Sequence, residues 1–519
     1  MRHHDPLLAP SPPVGDAHAN DLLARAKAAA GGDRWNTVRG LRMAGTIAAG
    51  GLSGPYEQWV CMRTGRFLTR YTLGPAPVLR GFDGQVAWQC GAGGEVAVQD
   101  SAAARQMAVT ESFLLARGYW LAPHECSACA PSGEGIAGHE LVQVHTTNGL
   151  PVQLWFDRAG SRLARTLQDV HGLEMAKRYE DHRDVGGLGI PFRIVTGTGD
   201  ARRDVVVQLS IVELDPAWPE DSFDVPRQSI DDVAFIDGGS ECSVPFEVAH
   251  NHVYLRVTLG GQDFQFLLDT GGVNLLTPET AARAGLQIEG ALEARGPGEA
   301  SVDAGFVRVD EFCIGDRLTM KHQLMRVLPL SGLEQADGHQ CDGLLGHELF
   351  KRLVVTIDHA ERRVTLTRPD AFHPPAHAHR LPLTFYAHIP TVNAMLDELP
   401  GQFWVDTGNR NALTLWRPFV QAHGLDDRYG AGDETVIGWG VGGAVRGRIA
   451  CAGRLDLGGL IVEEPLLTLP SADSGPTATQ GVAGNIGGDI LRRYSCSFDY
   501  SRRTMHLASI ELRTSSLPS

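Results

Sequence analysis

At 519 residues the chain is too long for one hydrophobic core, and at roughly 100–200 residues per domain it predicts about three domains. Apolar residues make up 43% and charged residues 21%, with 61 Gly and 29 Pro, which excludes collagen-like and disordered polymers and leaves enough apolar mass for a buried core. A formal charge of −15 provides no basic field for a phosphate backbone, so nucleic acid is not an expected partner, and no apolar run approaches the ~18 residues of a membrane span.

The amino terminus, Met1-Arg2-His3-His4-Asp5-Pro6 followed by Pro10, Pro12 and Pro13, lacks an apolar h-region. Residues 1–16 therefore predict a disordered tail and no signal peptide. A helix is expected next, with Asn20 as N-cap, an Ala-rich run from Leu22 to Ala30, and Gly31-Gly32 as its stop. Strand-like runs continue to about Ile211, among them Gln85–Trp88, Val152–Phe156 and Asp204–Val212. A second helix, Ser101–Arg117, ends at Gly118, and Asp157-Arg158-Ala159-Gly160 reads as a hairpin turn. Residues 17–228 thus predict an antiparallel, half-barrel-like sheet with helical cover. Nine cysteines argue against a disulfide framework. Cys126 and Cys129 supply only half of a tetrahedral zinc site, and a surface loop is expected there. From Trp218-Pro219 to Gly239 the sequence loses periodicity, so residues 229–244 are read as a linker.

Beyond Val244 the chain repeats itself. Phe266-Leu267-Leu268-Asp269-Thr270-Gly271 recurs 137 residues later as Phe403-Trp404-Val405-Asp406-Thr407-Gly408. Asn274 and Asn411 come next, then Leu276-Thr277 and Leu413-Thr414. A second block, Gly343-Leu344-Leu345-Gly346, recurs after 141 residues as Gly484-Asn485-Ile486-Gly487. Two blocks in one order at nearly one separation predict two copies of a lobe, over 245–370 and 381–510, with a solvated linker over 371–380 and a short tail over 511–519. In that linker His373 and His377 flank Pro374 and Pro375, which block a helix that would present both rings to a metal.

Each Asp succeeds an apolar triplet and precedes Thr-Gly, which presents a carboxylate at a strand end where Gly permits a tight turn and close backbone approach. A duplicated lobe related by a pseudo-two-fold brings the matching residue of each copy to a shared axis. Two carboxylates about 3 Å apart hold one proton between them, one acting as base and the other as acid on a water and a carbonyl. That pairing is suited to peptide hydrolysis without a metal or other cofactor.

On these blocks the chain resembles aspartic peptidases of the retropepsin and pepsin type, in bacterial style, over about Phe246 to Leu507. The resemblance implies a bilobal, pepsin-like β fold with pseudo-two-fold symmetry, active as a monomer on a peptide or protein. It implies Asp269 and Asp406 as the catalytic pair. Thr270 and Thr407 would hydrogen-bond across the axis beside Gly271 and Gly408, with the downstream blocks packed behind. Gly272 and Asn409 stand where the family carries Ala or Ser, so a hydroxyl for the carboxylate is missing from the first copy. Asn485 replaces an apolar residue, which implies looser packing there. Thr277, Pro278 and Gly285 predict a short capped helix.

Gly438-Trp439-Gly440-Val441-Gly442-Gly443 satisfies G-x-G-x-x-G, but the next residues, Ala444 to Ile449, are too rich in Gly and Val to open a phosphate-binding helix. Its place between the blocks is that of a flap hairpin in the family, formed by Gly438, Trp439 and Gly440 in the second copy and by Gly296 and Gly298 in the first. His347-Glu348 lacks the second histidine of a zinc helix, Lys351 standing in its place.

The first domain resembles, more faintly, LolA-like and LppX-like half-barrels, through Gly31-Gly32 with Trp35, Gly84 with Trp88, Trp155-Phe156-Asp157 and Phe223-Asp224-Val225-Pro226. That resemblance implies a lipid or acyl ligand and an envelope or periplasmic location; the other reading is a sheet that only packs beside the peptidase. Two functions stay open: an aspartic endopeptidase, or a non-catalytic carrier of lipid, lipoprotein or apolar peptide with inactive lobes.

Overall fold

A computed structural model describes residues 16–91, 94–121, 126–129, 138–170, 173–197, 201–219, 221–227, 231–295, 301–330, 332–334, 338–430, 432–472 and 475–510. Of the expected tail over 1–16 only Asp16 is described, and it caps the first helix; the tail over 511–519, Gly296 and Gly298 lie outside the described residues. The protein is mainly β and divides into two compact units, one built chiefly from residues up to 227 and the other from 228 onward.

In the first unit the opening helix is Ala17–Ala29, and its N-cap is Asp16 rather than Asn20, because the Asp16 carboxylate accepts the His18 N–H at 2.8 Å. Ala19, Leu22, Leu23 and Ala26 form its buried stripe. The second helix, Ala102–Leu115, is capped by Ser101, whose side chain accepts from the Ala104 N–H. It stops before Gly118, where Arg117 takes a φ of 56°, and Gly118 instead opens a further helical turn, Gly118–Leu121.

Among the described residues thirteen strands form one sheet, in which Gly40–Ala49 lies beside Val205–Leu214 and strands consecutive in the chain lie side by side outward from both. The hairpin turn at 158–160 joins Val152–Asp157 to Leu163–Val170, with the Asp157 carboxylate accepting the Gly160 and Arg162 N–H groups. Gln85 and Val86 precede their strand, which runs Ala87–Cys90. Cys126–Cys129 is a strand paired with His139–Thr146, not a loop. Two tryptophans of the sequence pattern anchor chain crossings: Trp35 Nε1 donates to Ala30 O at 2.9 Å and Trp88 Nε1 to Phe223 O at 3.0 Å.

The described residues of the second unit form three sheets. In one, Phe266–Leu268 pairs in parallel with Gly343–Leu345; in another, Phe403–Val405 pairs in parallel with Gly484–Ile486, in the same register. The third has three strands from each copy, and its middle pairing sets Thr356 opposite Ser497, with the two hydroxyls 2.8 Å apart. These residues are 141 apart, the spacing of the repeated block, so equivalent positions meet at the axis.

Both expected linkers contain structure. Glu241–Pro245 is an edge strand of this third sheet because Cys242 and Val244 alternate inward, and Val233–Phe235 pairs with Leu318–Val327. His379–Pro382 closes the opposite edge against Thr504–Ser509, with Leu381 buried. Thr277 caps the short helix Pro278–Arg283 through the Thr280 N–H at 3.1 Å, and Gly285 comes after it at a φ of 70°.

Candidate active site

Asp269 and Asp406 each leave the end of a strand, Gln262–Leu268 and Leu399–Val405, and their loops meet across the axis. The threonines lock the loops symmetrically. Thr270 Oγ1 donates to Val405 O at 2.7 Å and accepts from Thr407 N at 3.0 Å; Thr407 Oγ1 donates to Leu268 O at 2.8 Å and accepts from Thr270 N at 3.0 Å. Four buried backbone groups find partners in this way, each of which would otherwise cost about 1–3 kcal/mol.

Within each loop the glycine N–H donates to the inner carboxylate oxygen, Gly271 to Asp269 at 2.8 Å and Gly408 to Asp406 at 2.9 Å. Neither glycine has a positive φ, so their need is not the turn that the sequence suggests. A Cβ on Gly271 would lie 2.7 Å from the Asp406 Cγ, and one on Gly408 would lie 2.5 Å from the Asp269 Cγ. The missing side chains are what let each carboxyl approach the opposite loop. Burial, then the neighbouring Asp406 charge and a hydrogen bond between the two carboxyls, hold the Asp269 carboxyl well above the usual range.

The downstream blocks support the loops from below. A Cβ on Gly346 or Gly487 would meet a backbone oxygen of the Asp loop, Gly272 O at 2.4 Å and Asn411 O at 2.3 Å respectively. Asn485 is buried without disrupting its strand, and its Nδ2 donates to Asp406 Oδ2 at 2.7 Å. Asn409 turns away from the carboxyl, its Nδ2 donating to Thr414 Oγ1 at 3.2 Å. The paired asparagines do different work: Asn274 Oδ1 accepts the Gly346 N–H, whereas Asn411 Nδ2 donates to Ile437 O.

Two residues at the site went unread in the sequence. His252 Nε2 donates to Gly408 O at 2.9 Å and His388 Nε2 to Gly271 O at 3.0 Å, each from one copy onto the Asp loop of the other. They precede their aspartates by 17 and 18 residues, so the repeat extends upstream past the one-residue difference that hides it. His347 accompanies them, its Nδ1 donating to His388 O at 3.1 Å.

A cavity of about 100 Å³ opens beside Asp406, with Trp416, Ile437, Trp439, Val445 and Pro470 as its apolar wall. Gly438, Trp439 and Gly440 belong to the hairpin Thr435–Gly440 and Gly443–Cys451, and no helix comes after them there. Among the described residues no group of three or more His, Cys, Asp or Glu could hold a metal ion.

Residues 255–349, the greater part of the first copy, match the family model described as aspartyl protease. No curated protein matches the chain. Among solved structures, the chain is similar to an aspartic proteinase from Irpex lacteus at 14% identity, over 53% of this chain and 99% of that one, with a TM-score of 0.35. It is also similar to Basic 7S globulin from soybean, at 12% identity over 54% of this chain and 97% of that one, TM-score 0.34. A DUF1329 family protein from Desulfovibrio piger is 11% identical over 41% of this chain and 98% of that one, TM-score 0.29.

Proposed function

We propose that the protein is an aspartic endopeptidase whose catalytic pair is Asp269 and Asp406. The observation that carries this is the mutual approach of the two carboxyls, each held by its own glycine N–H and set against the glycine of the other copy. The match of residues 255–349 to aspartyl protease supports it. With one proton shared, the ionised carboxylate takes a proton from water while the protonated carboxyl hydrogen-bonds the scissile carbonyl, and the water oxygen attacks the carbonyl carbon. Thr270 and Thr407 keep the loops in register, and the hairpin bearing Gly438, Trp439 and Gly440 acts as a flap that excludes water from the reacting bond. The cavity beside Asp406 accepts an apolar side chain of the peptide.

Asp269→Asn and Asp406→Asn are each expected to abolish cleavage of a mixed peptide library while the second unit stays folded. Full activity in either variant sinks the reading.

A second function rests on the first unit, where a cavity of about 830 Å³ is lined on one part by Trp35, Val38, Met62, Phe82, Phe113 and Leu121 and on another by Asn36, Arg63, Thr64, Ser112, Thr146 and Thr147. That mixed lining suits an amphiphile, its acyl chain on the apolar wall and its head group beside Arg63 and the hydroxyls. An envelope or periplasmic location belongs to the same reading, through the resemblance of the first unit's motifs to LolA-like half-barrels. Quenching of tryptophan fluorescence by a long-chain fatty acid, lost in Met62→Arg, tests it. Among the described residues no helix is long and apolar enough to cross a membrane.

A further inference from the structure

The two halves of the site are not equivalent, and one of their differences is a side chain that touches a carboxyl. Both inner carboxylate oxygens accept a glycine N–H at nearly the same distance. At the outer oxygens the copies diverge. Asp406 Oδ2 accepts the Asn485 Nδ2–H at 2.7 Å, and Asn485 is 4% exposed, so water does not compete for that bond. The matching residue of the first copy is Leu344, which has no donor, and the position after Asp269-Thr270-Gly271 is Gly272, which has no side chain. A Cβ at Gly272 would lie 2.8 Å from Asp269 Oδ2 and 3.4 Å from Leu344 Cδ1. The Asp269 carboxyl meets the Gly271 and Gly272 N–H groups and the Asp406 carboxyl, and among the described residues no side-chain amide stands on it as Asn485 stands on Asp406. Asn409 does not restore symmetry, because its amide is committed to Thr414.

An amide N–H donates to a lone pair, so an oxygen that accepts it favours the ionised carboxyl. We propose that Asn485 is a positioning residue that fixes the negative charge of the pair on Asp406 and leaves the shared proton on Asp269. The proposal rests on the peptidase reading for its consequence: Asp406 is the base and Asp269 the acid. In the first step an O–H bond of water breaks, its proton passes to Asp406, the oxygen bonds to the carbonyl carbon, and the proton of Asp269 passes to the carbonyl oxygen. In the second step Asp406 returns its proton to the leaving nitrogen as the C–N bond breaks, and Asp269 regains one from a hydroxyl of the tetrahedral intermediate. The other titratable or charged groups around the pair are Tyr500, whose phenol feels both carboxylates, His252 on Gly408 O, His388 on Gly271 O, His347 on His388 O, Glu348 on the Asn274 N–H, and Arg410 in the cavity wall. All of them are retained when Asn485 is changed.

The test tracks the aspartate side-chain carboxyl carbons by ¹³C NMR in the full chain, with the two signals assigned from their loss in Asp269→Asn and Asp406→Asn. In the wild type Asp406 is expected to ionise first on raising the pH. Asn485→Leu, which copies the first half onto the second, raises that first ionisation by about one to two pH units and moves the acidic limb of kcat/KM by the same amount. Leu344→Asn leaves Asn485 in place and lowers the titration of Asp269 toward that of Asp406. A purely structural role for Asn485 would reduce activity at every pH without moving the limb. The proposal is overturned if Asp269 ionises first in the wild type, if Asn485→Leu leaves both curves in place, or if Leu344→Asn leaves Asp269 unmoved. A wild type that cleaves nothing removes the peptidase reading, while the order of ionisation still decides this one.

Discussion

A Cβ placed on Gly408 would sit 2.5 Å from the Cγ of Asp269, a residue of the other copy. The same relation holds in reverse for Gly271 and Asp406, at 2.7 Å. Each half of the candidate site is thus shaped by an absence in its partner. Gly408→Ala or Gly271→Ala must push a carboxyl away from the axis. A misplacement of about 1 Å at a reacting group is enough for about a hundredfold loss in rate. Either variant is expected to lose at least about that much in kcat/KM, measured with a peptide that the wild type cleaves.

The threonine lock separates stability from chemistry. Thr270→Val removes the hydroxyl that donates to Val405 O and accepts from Thr407 N, leaving two buried backbone groups unpaired. The expected loss is about 2–4 kcal/mol in urea unfolding of the second unit, whereas Thr270→Ser keeps both bonds and loses under about 1 kcal/mol. Equal losses in the two variants would show that the hydroxyl is not what holds the loops.

Acid weakens the fold through its buried histidines. Burial, then Arg326, pushes the His388 imidazole down to about 4; burial, then Arg492, does the same to His359; burial, then His388, holds His347 well below its ordinary value. Between the ordinary histidine value near 6.5 and about 4, the unfolded chain takes up protons that these rings refuse in the fold. Stability therefore falls as pH drops through that window, by about 3 kcal/mol for His388 alone, and for that residue levels off below about pH 4. Asp269 acts in the opposite sense, because a carboxyl with a raised value binds its proton in the fold before the unfolded chain does. Urea midpoints at pH 7 and pH 4.5 are expected to differ less in His388→Gln, which keeps a donor for Gly271 O without titrating.

Trp439 stands 36% exposed on the hairpin that borders the cavity beside Asp406. Little of the fold depends on its ring, so Trp439→Ala is expected to leave the melting temperature within about 2 °C. If the hairpin closes on a peptide, KM rises about tenfold with a smaller change in kcat. Steady-state kinetics on one apolar peptide would show the split, and an unchanged KM would remove the flap role.

The repeat made much of this protein legible before any coordinate. Asp-Thr-Gly twice in matching context names the pair, because a duplicated strand end has one natural meeting point, and the capped helix after Thr277 arises from local backbone chemistry alone. The strand-rich first domain is equally local, since alternation and turn residues act over a few positions. What sequence could not show depends on atoms brought together from distant segments. Gly271 and Gly408 read as turn residues, yet they are required by a carboxyl 135 or more residues away in the chain. His252 and His388 carry no local signature, because the carbonyls they hold belong to the opposite copy. Asn485 reads as a flaw in an apolar block until the fold places its amide against Asp406. Sequence by itself determined that two carboxylates meet; only the tertiary structure decided that they meet unequally, because a hydrogen bond exists only where a donor and a lone pair are brought within reach.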